Sequence, residues 1–300
     1  MNIIQKFELL TYNVGIIKKD AESFLKNGID AGEIKWLKHN YKDRYFADPF
    51  VIDEDEKYLY ILVEEYCFWE EKGKIVLLTV NKDNFSLKSR KLIIEETTHL
   101  SFPFCEKGGY TIIPESVKSG KTKKYFYDRN TKSIIQSEVI LNEGLIDASF
   151  YVDKENNEWI FASKENNPKE DLYIYKKVGE EYECINNGKP VEKSIRTTRS
   201  AGRFFEVENQ IYRPVQDSQG RYGRQTVILK VKKLNESEYE TEEVITVNSF
   251  KNPPYNETLH TLNIYDKYII VDGSKDVLRF PMKLFYKKFK FLFNKRKNNM

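Results

Sequence analysis

Apolar residues in this chain occur in short runs separated by polar turns, and helical periodicity is rare before residue 279. Six of the runs have the length and the β-branched or aromatic content that is typical of strands. They are Tyr58–Val63, Lys74–Val80, Lys91–Ile94, Ser133–Ile140, Leu172–Tyr175 and Thr226–Val231. Only Ala21–Asn27 and the C-terminal segment have a helical pattern. The sequence therefore predicts an all-β protein.

A hairpin-like motif recurs five times along the chain. Each copy has a small polar start, an apolar strand with aromatic residues, an acidic or glycine-containing turn and a second strand. Aligned positions are Phe50, Phe104, Phe150, Phe205 and Leu262. Their spacing of about 50 residues is typical of propeller blades with four short strands each. We predict a five-bladed β-propeller over residues 1–276, closed by a strand at Phe7–Ile17; the alternative is a β-sandwich of ordinary hairpins.

Length and composition exclude several classes of protein. A chain of 300 residues, 40% of them apolar, is long enough to bury a large core without disulfides or metals. No apolar run approaches the roughly 18 residues of a transmembrane helix. Three cysteines without a CxxC pair indicate a reducing compartment, and the N-terminus has no secretory pattern. We expect a cytoplasmic protein.

The charge is unevenly distributed. The net charge is +3, yet residues 279–300 carry only basic charges, so the rest of the chain is net negative. An acidic body argues against nucleic acid as a partner. In the tail, 277–300, apolar residues recur at helical spacing, which predicts a short basic amphipathic helix on the anionic inner face of a membrane. The alternative is a helix packed on the propeller with a frayed basic end.

Ionisable residues recur where the motif begins. The first strand of each blade lines the central channel of a propeller, so the residues that start these strands are expected at one channel mouth. They are Asp48, Phe102, Asp147, Arg203 and His260, with His99 and Arg199 just upstream of two of them. Carboxylates, cations and imidazoles brought together shift each other's pKa, which is typical of functional sites.

Each of these residues has an expected role and an alternative one. Asp48 and Asp147 are the candidate catalytic carboxylates; alternatively each caps a turn. Pro49 is expected to hold Asp48 in an extended conformation. The candidate substrate contacts are Arg203, whose planar fork suits phosphate or carboxylate, His260, His99, Arg199, and Arg221 in a polar loop that alternatively only connects blades.

Other carboxylates and motifs receive weaker interpretations. Five acidic residues end second strands and are expected mostly to face away from the channel: Glu64, Glu65, Glu115, Asp217 and Asp272. The sequence contains no GxGxxG, GxxxxGK[ST], HExxH or GxSxG motif. We therefore predict neither a cofactor nor a metal.

Several phrases carry a family resemblance. YFADPFVI, THLSFPF, IPES, DASFYVDKENNEWIFAS, AGRFFE, YRPVQD, LHTLN and VDGS resemble the N-terminal domain of plant glucosamine inositolphosphorylceramide transferases and its bacterial counterparts, over roughly residues 7–276. That domain is similar to the five-bladed propellers of arabinanases, xylosidases and invertases, which act on glycosidic bonds. We expect this chain to lack the glycosyltransferase domain that follows in the plant proteins.

The resemblance implies roles for individual residues. Asp48-Pro49 matches the general base or nucleophile of those glycosidases, and Asp147 matches the aspartate that orients the site. The expected glutamic acid is replaced by the run Ala201-Gly202-Arg203, which favours a substrate with a phosphate or carboxylate. Glycoside hydrolysis normally uses two carboxyl groups, one of them protonated.

Two hypotheses follow from these roles. The first is a carbohydrate-active enzyme of cell-surface glycan or glycolipid assembly that transfers or cleaves a glycosyl group. The second is a non-catalytic propeller that binds a glycan, glycolipid or sugar nucleotide and works with a separate glycosyltransferase.

Overall fold

The structure is a computed structural model that describes residues 8–249 and 254–278. The predicted basic helix, 277–300, lies outside the described residues except for 277 and 278, which belong to the last strand. One α-helix, α1 (Ala21–Asn27), and 21 strands are present in these residues. Strands β1 to β11 are Glu8–Lys18, Lys35–Trp36, Arg44–Glu54, Tyr58–Cys67, Lys72–Asn81, Leu87–Ile94, Ser101–Cys105, Thr111–Glu115, Thr122–Asp128, Ser133–Leu141 and Ile146–Val152. Strands β12 to β21 are Glu158–Ser163, Asp171–Val178, Glu181–Cys184, Glu192–Lys193, Phe205–Val207, Gln210–Asp217, Gln225–Leu234, Tyr239–Asn248, Leu262–Tyr265 and Tyr268–Leu278.

The strands form five antiparallel sheets, each a propeller blade. Blade 1 contains β3-β4-β5-β6, blade 2 β7-β8-β9-β10, blade 3 β11-β12-β13-β14 and blade 4 β16-β17-β18-β19. Blade 5 has the order β20-β21-β1-β2, and β15 pairs with β13 beside blade 3. The predicted five-bladed propeller is confirmed, and each of the six predicted strand runs lies inside an observed strand.

The N-terminal strand closes the ring. Strand β1 pairs with β21 along its whole length, from Glu8 opposite Leu278 to Lys18 opposite Tyr268. A strand from one end of the chain thereby completes a blade made by the other end, so no sheet edge is left open at the junction. The predicted strand Phe7–Ile17 is shifted by one residue from the observed one.

Helix α1 follows β1 and packs against β16, the first strand of blade 4. The Asp20 side chain caps it by accepting a hydrogen bond from the Ser23 backbone N–H at 2.7 Å. Gly28, with φ of 65°, ends it. Phe24 is fully buried with its ring 6.5 Å from that of Phe205. No helix in the described part of the chain is long and apolar enough to cross a membrane.

Inner-strand aromatic residues fill the space around the channel in blades 1 to 3. Phe50, Phe102 and Phe104 are buried, and the Phe50 ring lies 5.0 Å from that of Phe102. In blade 3 the residue after the strand irregularity is Ser149, whereas it is Phe50 in blade 1 and Phe104 in blade 2. The repeat alignment on Phe150 is therefore one residue out of register in that blade.

Candidate functional site

Three of the inner strands carry the same backbone irregularity near the channel mouth. The register shifts between Ala47 and Phe50 in blade 1, and at the equivalent places in blades 2 and 3. Asp48, Phe102 and Asp147 occupy these bulges, with φ of 50°, 39° and 45°. Such left-handed backbone is unfavourable for residues other than glycine and is concentrated at functional sites. The bulge turns each side chain out of the regular strand alternation.

Asp48 is not extended, contrary to the expectation drawn from Pro49. Two partners fix its left-handed conformation: its backbone N–H donates to Asp272 Oδ2 at 3.1 Å, and its side chain accepts from the Thr261 hydroxyl at 2.8 Å. These tertiary hydrogen bonds override the local preference that a following proline imposes.

Asp48, His260 and Asp272 form a buried chain of ionisable groups. His260 Nε2 lies 3.3 Å from Asp48 Oδ1, and His260 Nδ1 lies 2.8 Å from Asp272 Oδ2. Asp272 also accepts from the backbone N–H groups of Asp48, His260 and Thr261. Asp272 is completely buried and therefore positions both other residues without facing the solvent.

The environment raises the pKa values of both Asp48 and His260. Burial raises the pKa of Asp48 to about 6, although the His260 imidazolium opposes the shift; the charges of Asp272 and Asp147 add to it. Burial alone would lower the pKa of His260, but Asp272 and Asp48 outweigh it and raise that pKa to about 9. At neutral pH the arrangement therefore holds an imidazolium between two carboxylates.

Asp147 lies in a second buried group on the blade 3 and blade 4 side. Its Oδ2 accepts from Arg199 Nε at 2.6 Å and from Gln216 Nε2 at 2.8 Å. Arg199 in turn donates to the Tyr222 hydroxyl at 3.1 Å, and the Tyr222 ring lies 5.7 Å from that of His260. The Tyr222 ring thus connects the Asp147 group to the chain of Asp48, His260 and Asp272. The negative charge of Asp147 contributes to the raised pKa of Asp48.

Two glutamic acids complete the mouth. Burial raises the pKa of Glu64 well above its ordinary value, and the negative charges of Asp48 and Glu115 raise it further. Burial and Asp147 do the same for the pKa of Glu115, whose Oε2 accepts from the Asp147 backbone N–H at 3.2 Å. Among the described residues, Glu64 Oε1 has no hydrogen-bond partner. Both groups are suited to holding a proton at neutral pH.

Arg203 does not share the mouth with these residues. Its Nε donates to the Cys105 carbonyl at 2.7 Å and its Nη2 to the Val51 carbonyl at 3.0 Å, both on the inner strands further along the channel. The reason is that the inner strand of blade 4 starts late, at Phe205, so the preceding loop inserts Arg203 more deeply. The cation at the mouth in this blade is Arg199.

His99 and Arg221 lie at the rim. His99 Nδ1 accepts from the Gly73 backbone N–H at 3.0 Å, and its Nε2 is 3.3 Å from Glu64 Oε1 without hydrogen-bond geometry. Burial lowers the pKa of His99. Arg221 is more exposed and forms ion pairs with Glu257 and Asp276 rather than with the buried carboxylates.

Three acidic residues that were expected to face away from the channel lie at the centre of its mouth. Glu64, Glu115 and Asp272 each lie near the end of a second strand, beside the start of the first strand of the same blade. An antiparallel hairpin necessarily places these two ends together. Hairpin geometry could therefore have placed these three residues at the mouth from the sequence alone. Asp217 is different: Arg196, Arg224 and Gln225 all donate to it, so it serves as a buried structural anchor.

A metal ion has one candidate position in the described part of the chain. Asp48, His260 and Asp272 each offer a ligand atom within 4.8 Å of the others. Asp272 already accepts three backbone N–H groups, and the imidazole bridges both carboxylates. Because a protonated imidazole cannot ligate a metal, these residues fit an ion-paired histidine better than a metal site.

The fold and the residues at the channel mouth define the class of protein. This is a five-bladed propeller whose channel mouth concentrates buried carboxyl groups. A GH43 β-xylosidase/α-arabinofuranosidase from a compost microbial metagenome superposes with a TM-score of 0.51 and 11% identity, covering 79% of this chain and 92% of that one. At this identity the likeness concerns the fold alone.

The amino-acid sequence matches a known family. The family described as glucosamine inositolphosphorylceramide transferase 1, N-terminal, matches residues 34–257, and this chain belongs to it. Proteins named glucosamine inositolphosphorylceramide transferase 1 from Oryza sativa subsp. indica and subsp. japonica are 29% identical over 213 residues. The match covers 66% of this chain and 28% of each rice protein. The predicted resemblance to this family is confirmed.

Proposed function

We propose that this protein acts in cell-surface glycan or glycolipid assembly, transferring or cleaving a glycosyl group at the channel mouth. The observation that carries the proposal is the pair Asp48 and Glu64. The two carboxyl groups lie on adjacent strands of blade 1, where Ala47 pairs with Glu64. Their environments differ in the way that acid and base roles require.

Asp48 serves as the base. The Thr261 hydroxyl, the Phe102 backbone N–H and the His260 imidazolium all stabilise its ionised form. It accepts the proton of an acceptor hydroxyl while that oxygen bonds to the anomeric carbon. The acceptor is water in hydrolysis and a sugar or inositol hydroxyl in transfer.

Glu64 serves as the acid. Burial and the neighbouring carboxylates favour its protonated form. Its Oε1 has no hydrogen-bond partner among the described residues, although His99 Nε2 lies 3.3 Å away. It donates its proton to the leaving-group oxygen as the glycosidic C–O bond breaks. This assignment supplies the acid that the sequence motif lacks at Arg203. Asp147 and Arg199 position the site, and His260 contributes positive charge.

Turnover tests the proposal. Purified protein is screened against sugar nucleotides and glycans, and Asp48→Asn is expected to abolish any turnover while the chain stays folded. Asp53→Asn is the matched control, because Asp53 lies on the same strand but binds Arg129 at the surface. Full activity of Asp48→Asn would remove Asp48 from the chemistry.

A second candidate function is binding alone. It is favoured by the extent of the match, because this chain corresponds to an N-terminal part, 28%, of proteins named as transferases. In that case the propeller binds a glycan, glycolipid or sugar nucleotide for a separate glycosyltransferase. Saturable binding of a ligand that wild-type protein never turns over, weakened by Asp48→Asn, would support this function instead.

Location is part of the same proposal. A cytoplasmic protein with the basic residues of 279–300 at the inner membrane face would meet lipid-linked acceptors there. Co-sedimentation with anionic vesicles, with and without residues 279–300, tests it. Equal binding by both forms would exclude the tail as the anchor.

A further inference from the structure

A basic groove lies between blades 5 and 1, beside the channel mouth. Its volume is about 1010 Å³, and it is lined by residues from β1, β6, β21 and the segment between β2 and β3. The basic groove is defined by six cations: Lys38, Lys42, Arg44, Lys88, Arg90 and Lys275. No carboxylate belongs to the described residues that line it. A one-sign surface of this kind, on a body that is net negative, concentrates anions.

The lysines of the groove are not paired with carboxylates of the described residues. Among the described residues, Lys38, Lys42, Lys88 and Lys275 form no ion pair, and Lys275 only lies 4.9 Å from the Tyr255 ring. Lysine ammonium groups left without a carboxylate are free to meet an incoming anion. His39, between Lys38 and Asn40, has a buried Nδ1 without a hydrogen-bond partner in the described structure. A ligand oxygen or hydroxyl could meet that atom.

The two arginines are already engaged. Arg90 directs Nε and Nη2 at the two oxygens of Glu65, which is 1% exposed. Arg44 contacts Asp43 through Nε and Nη2 and Glu65 through Nη1 at 3.0 Å. The planar forks that suit a carboxylate are thus occupied by protein groups. What remains is a set of lysine point charges, which suits the compact multiple charge of a phosphate.

Tyr12 joins the groove to the channel mouth. It lines the groove, it is 7% exposed, and its ring lies 4.9 Å from that of His260. A ligand with a sugar near Asp48 and a charged group a few bonds away would therefore pass over Tyr12.

We infer that the basic groove is a subsite for a phosphate ester, which holds the charged part of a ligand whose sugar or inositol ring lies at the channel mouth. This rests on the proposed function for the ring, but phosphate binding by the groove is measurable without turnover. The groove takes the anion-binding role that the sequence assigned to Arg203.

Calorimetric titration of the full chain with inorganic pyrophosphate tests the inference. The Lys42→Glu/Lys88→Glu variant changes two exposed groove lysines. The matched control is Lys189→Glu/Lys267→Glu, which makes the same charge change at exposed lysines outside the groove. We expect the groove variant to bind pyrophosphate at least about tenfold more weakly, and the control to bind like wild type. Added salt should weaken wild-type binding, because the lysines are exposed.

A second readout is the His39 imidazole in NMR spectra. Burial and the charges of Lys42 and Lys275 lower the pKa of His39, so a bound phosphate should raise that pKa and shift its resonances. The His39 response should be absent in the groove variant and present in the control.

The source of the phosphate is distinguished with vesicles. Phosphatidylcholine vesicles with and without phosphatidylinositol are compared for the same two variants. Pyrophosphate binding that depends on the groove supports a soluble ligand such as a sugar nucleotide. Vesicle binding that requires phosphatidylinositol and is lost only in the groove variant supports a lipid headgroup.

Failure of the inference is separable from failure of the proposed function. Equal weakening in both double variants, or no binding of either probe by wild type at low salt, would overturn the groove as a phosphate site even where Asp48→Asn abolishes turnover. Groove-dependent binding that persists in Asp48→Asn supports the inference whatever that variant does to turnover.

Discussion

Asp48 and His260 are in contact where the propeller ring closes. His260 precedes the first strand of blade 5, and its Nε2 lies 3.3 Å from Asp48 Oδ1 in blade 1. The strand that completes blade 5 also pairs Val14 with Asp272, the residue that orients both side chains. Ring closure and site geometry are therefore set by the same elements. Loosening of the closure should affect the candidate chemistry before it unfolds the blades.

The first prediction concerns the three histidines in an NMR titration. The His260 imidazole should titrate near pH 9, because Asp272 and Asp48 stabilise its charged form. His39 and His99 should titrate below their ordinary value, because burial disfavours their charged forms. Three resonances that all titrate near pH 6.5 would contradict the ion-paired arrangement.

The second prediction links His260 to stability. Below about pH 6.5 the imidazole is charged in the folded and the unfolded chain, so its ion pairs stabilise the fold fully. As the pH rises through about 9 the folded state loses that proton, and the stabilisation disappears. Urea unfolding at pH 6 and pH 9.5 should show wild type losing up to about 3 kcal/mol more than His260→Gln. An identical pH dependence in both proteins would refute it.

The third prediction uses two glycines of one loop. Gly223 has φ of 59°, and an added Cβ would lie 2.5 Å from the His260 Cβ. Gly220 has φ of 77°, and nothing lies within 4 Å of its added Cβ. Both alanine variants carry the cost of left-handed backbone, about 1 kcal/mol. Only Gly223→Ala should displace His260, and an NMR titration should then show the pKa of His260 falling toward 6.5. An equal fall in Gly220→Ala would argue against direct displacement.

The fold was predictable from the chain because it depends on local, repeated signals. Short apolar runs such as Lys74–Val80 and the recurring hairpin at about 50-residue intervals mark the blades without any knowledge of tertiary contacts. The one-residue slip at Phe150 arose because blade 3 carries Ser149 where blades 1 and 2 carry phenylalanine, so an alignment on phenylalanine selects the next residue.

The site was only partly predictable, since it depends on tertiary contacts. Asp48, Asp147 and His260 stood out through their common position in the repeat. The left-handed backbone of Asp48 and the position of Arg203 deep in the channel could not be predicted from neighbouring residues in the sequence, because partners in other blades fix both. Glu64, Glu115 and Asp272 were reachable through hairpin geometry, but the raised pKa values of Glu64 and Glu115 depend on burial that only the assembled ring provides.

The fourth prediction concerns the acid. If Asp48 is the base and Glu64 the acid, turnover should rise as Asp48 ionises near pH 6 and fall at higher pH as Glu64 ionises. Glu64→Gln should lower kcat by about 10²–10⁴-fold and remove the alkaline limb of the profile. Glu115→Gln is the discriminating variant, because burial and Asp147 also raise the pKa of Glu115 well above its ordinary value. Loss of the alkaline limb in Glu115→Gln alone would transfer the acid role to Glu115.

The last prediction concerns the buried pair Asp147 and Arg199. Their side chains are 6% and 11% exposed, with 2.6 Å between Oδ2 and Nε. Arg199→Met leaves a buried carboxylate without its cation, and Asp147→Asn leaves the guanidinium without its anion. Each single change should therefore cost about 3–5 kcal/mol of unfolding free energy. The double variant should lose clearly less than the sum, since no lone buried charge remains. Urea unfolding of the four proteins measures this coupling, and strict additivity would show that the pair does not act as a unit.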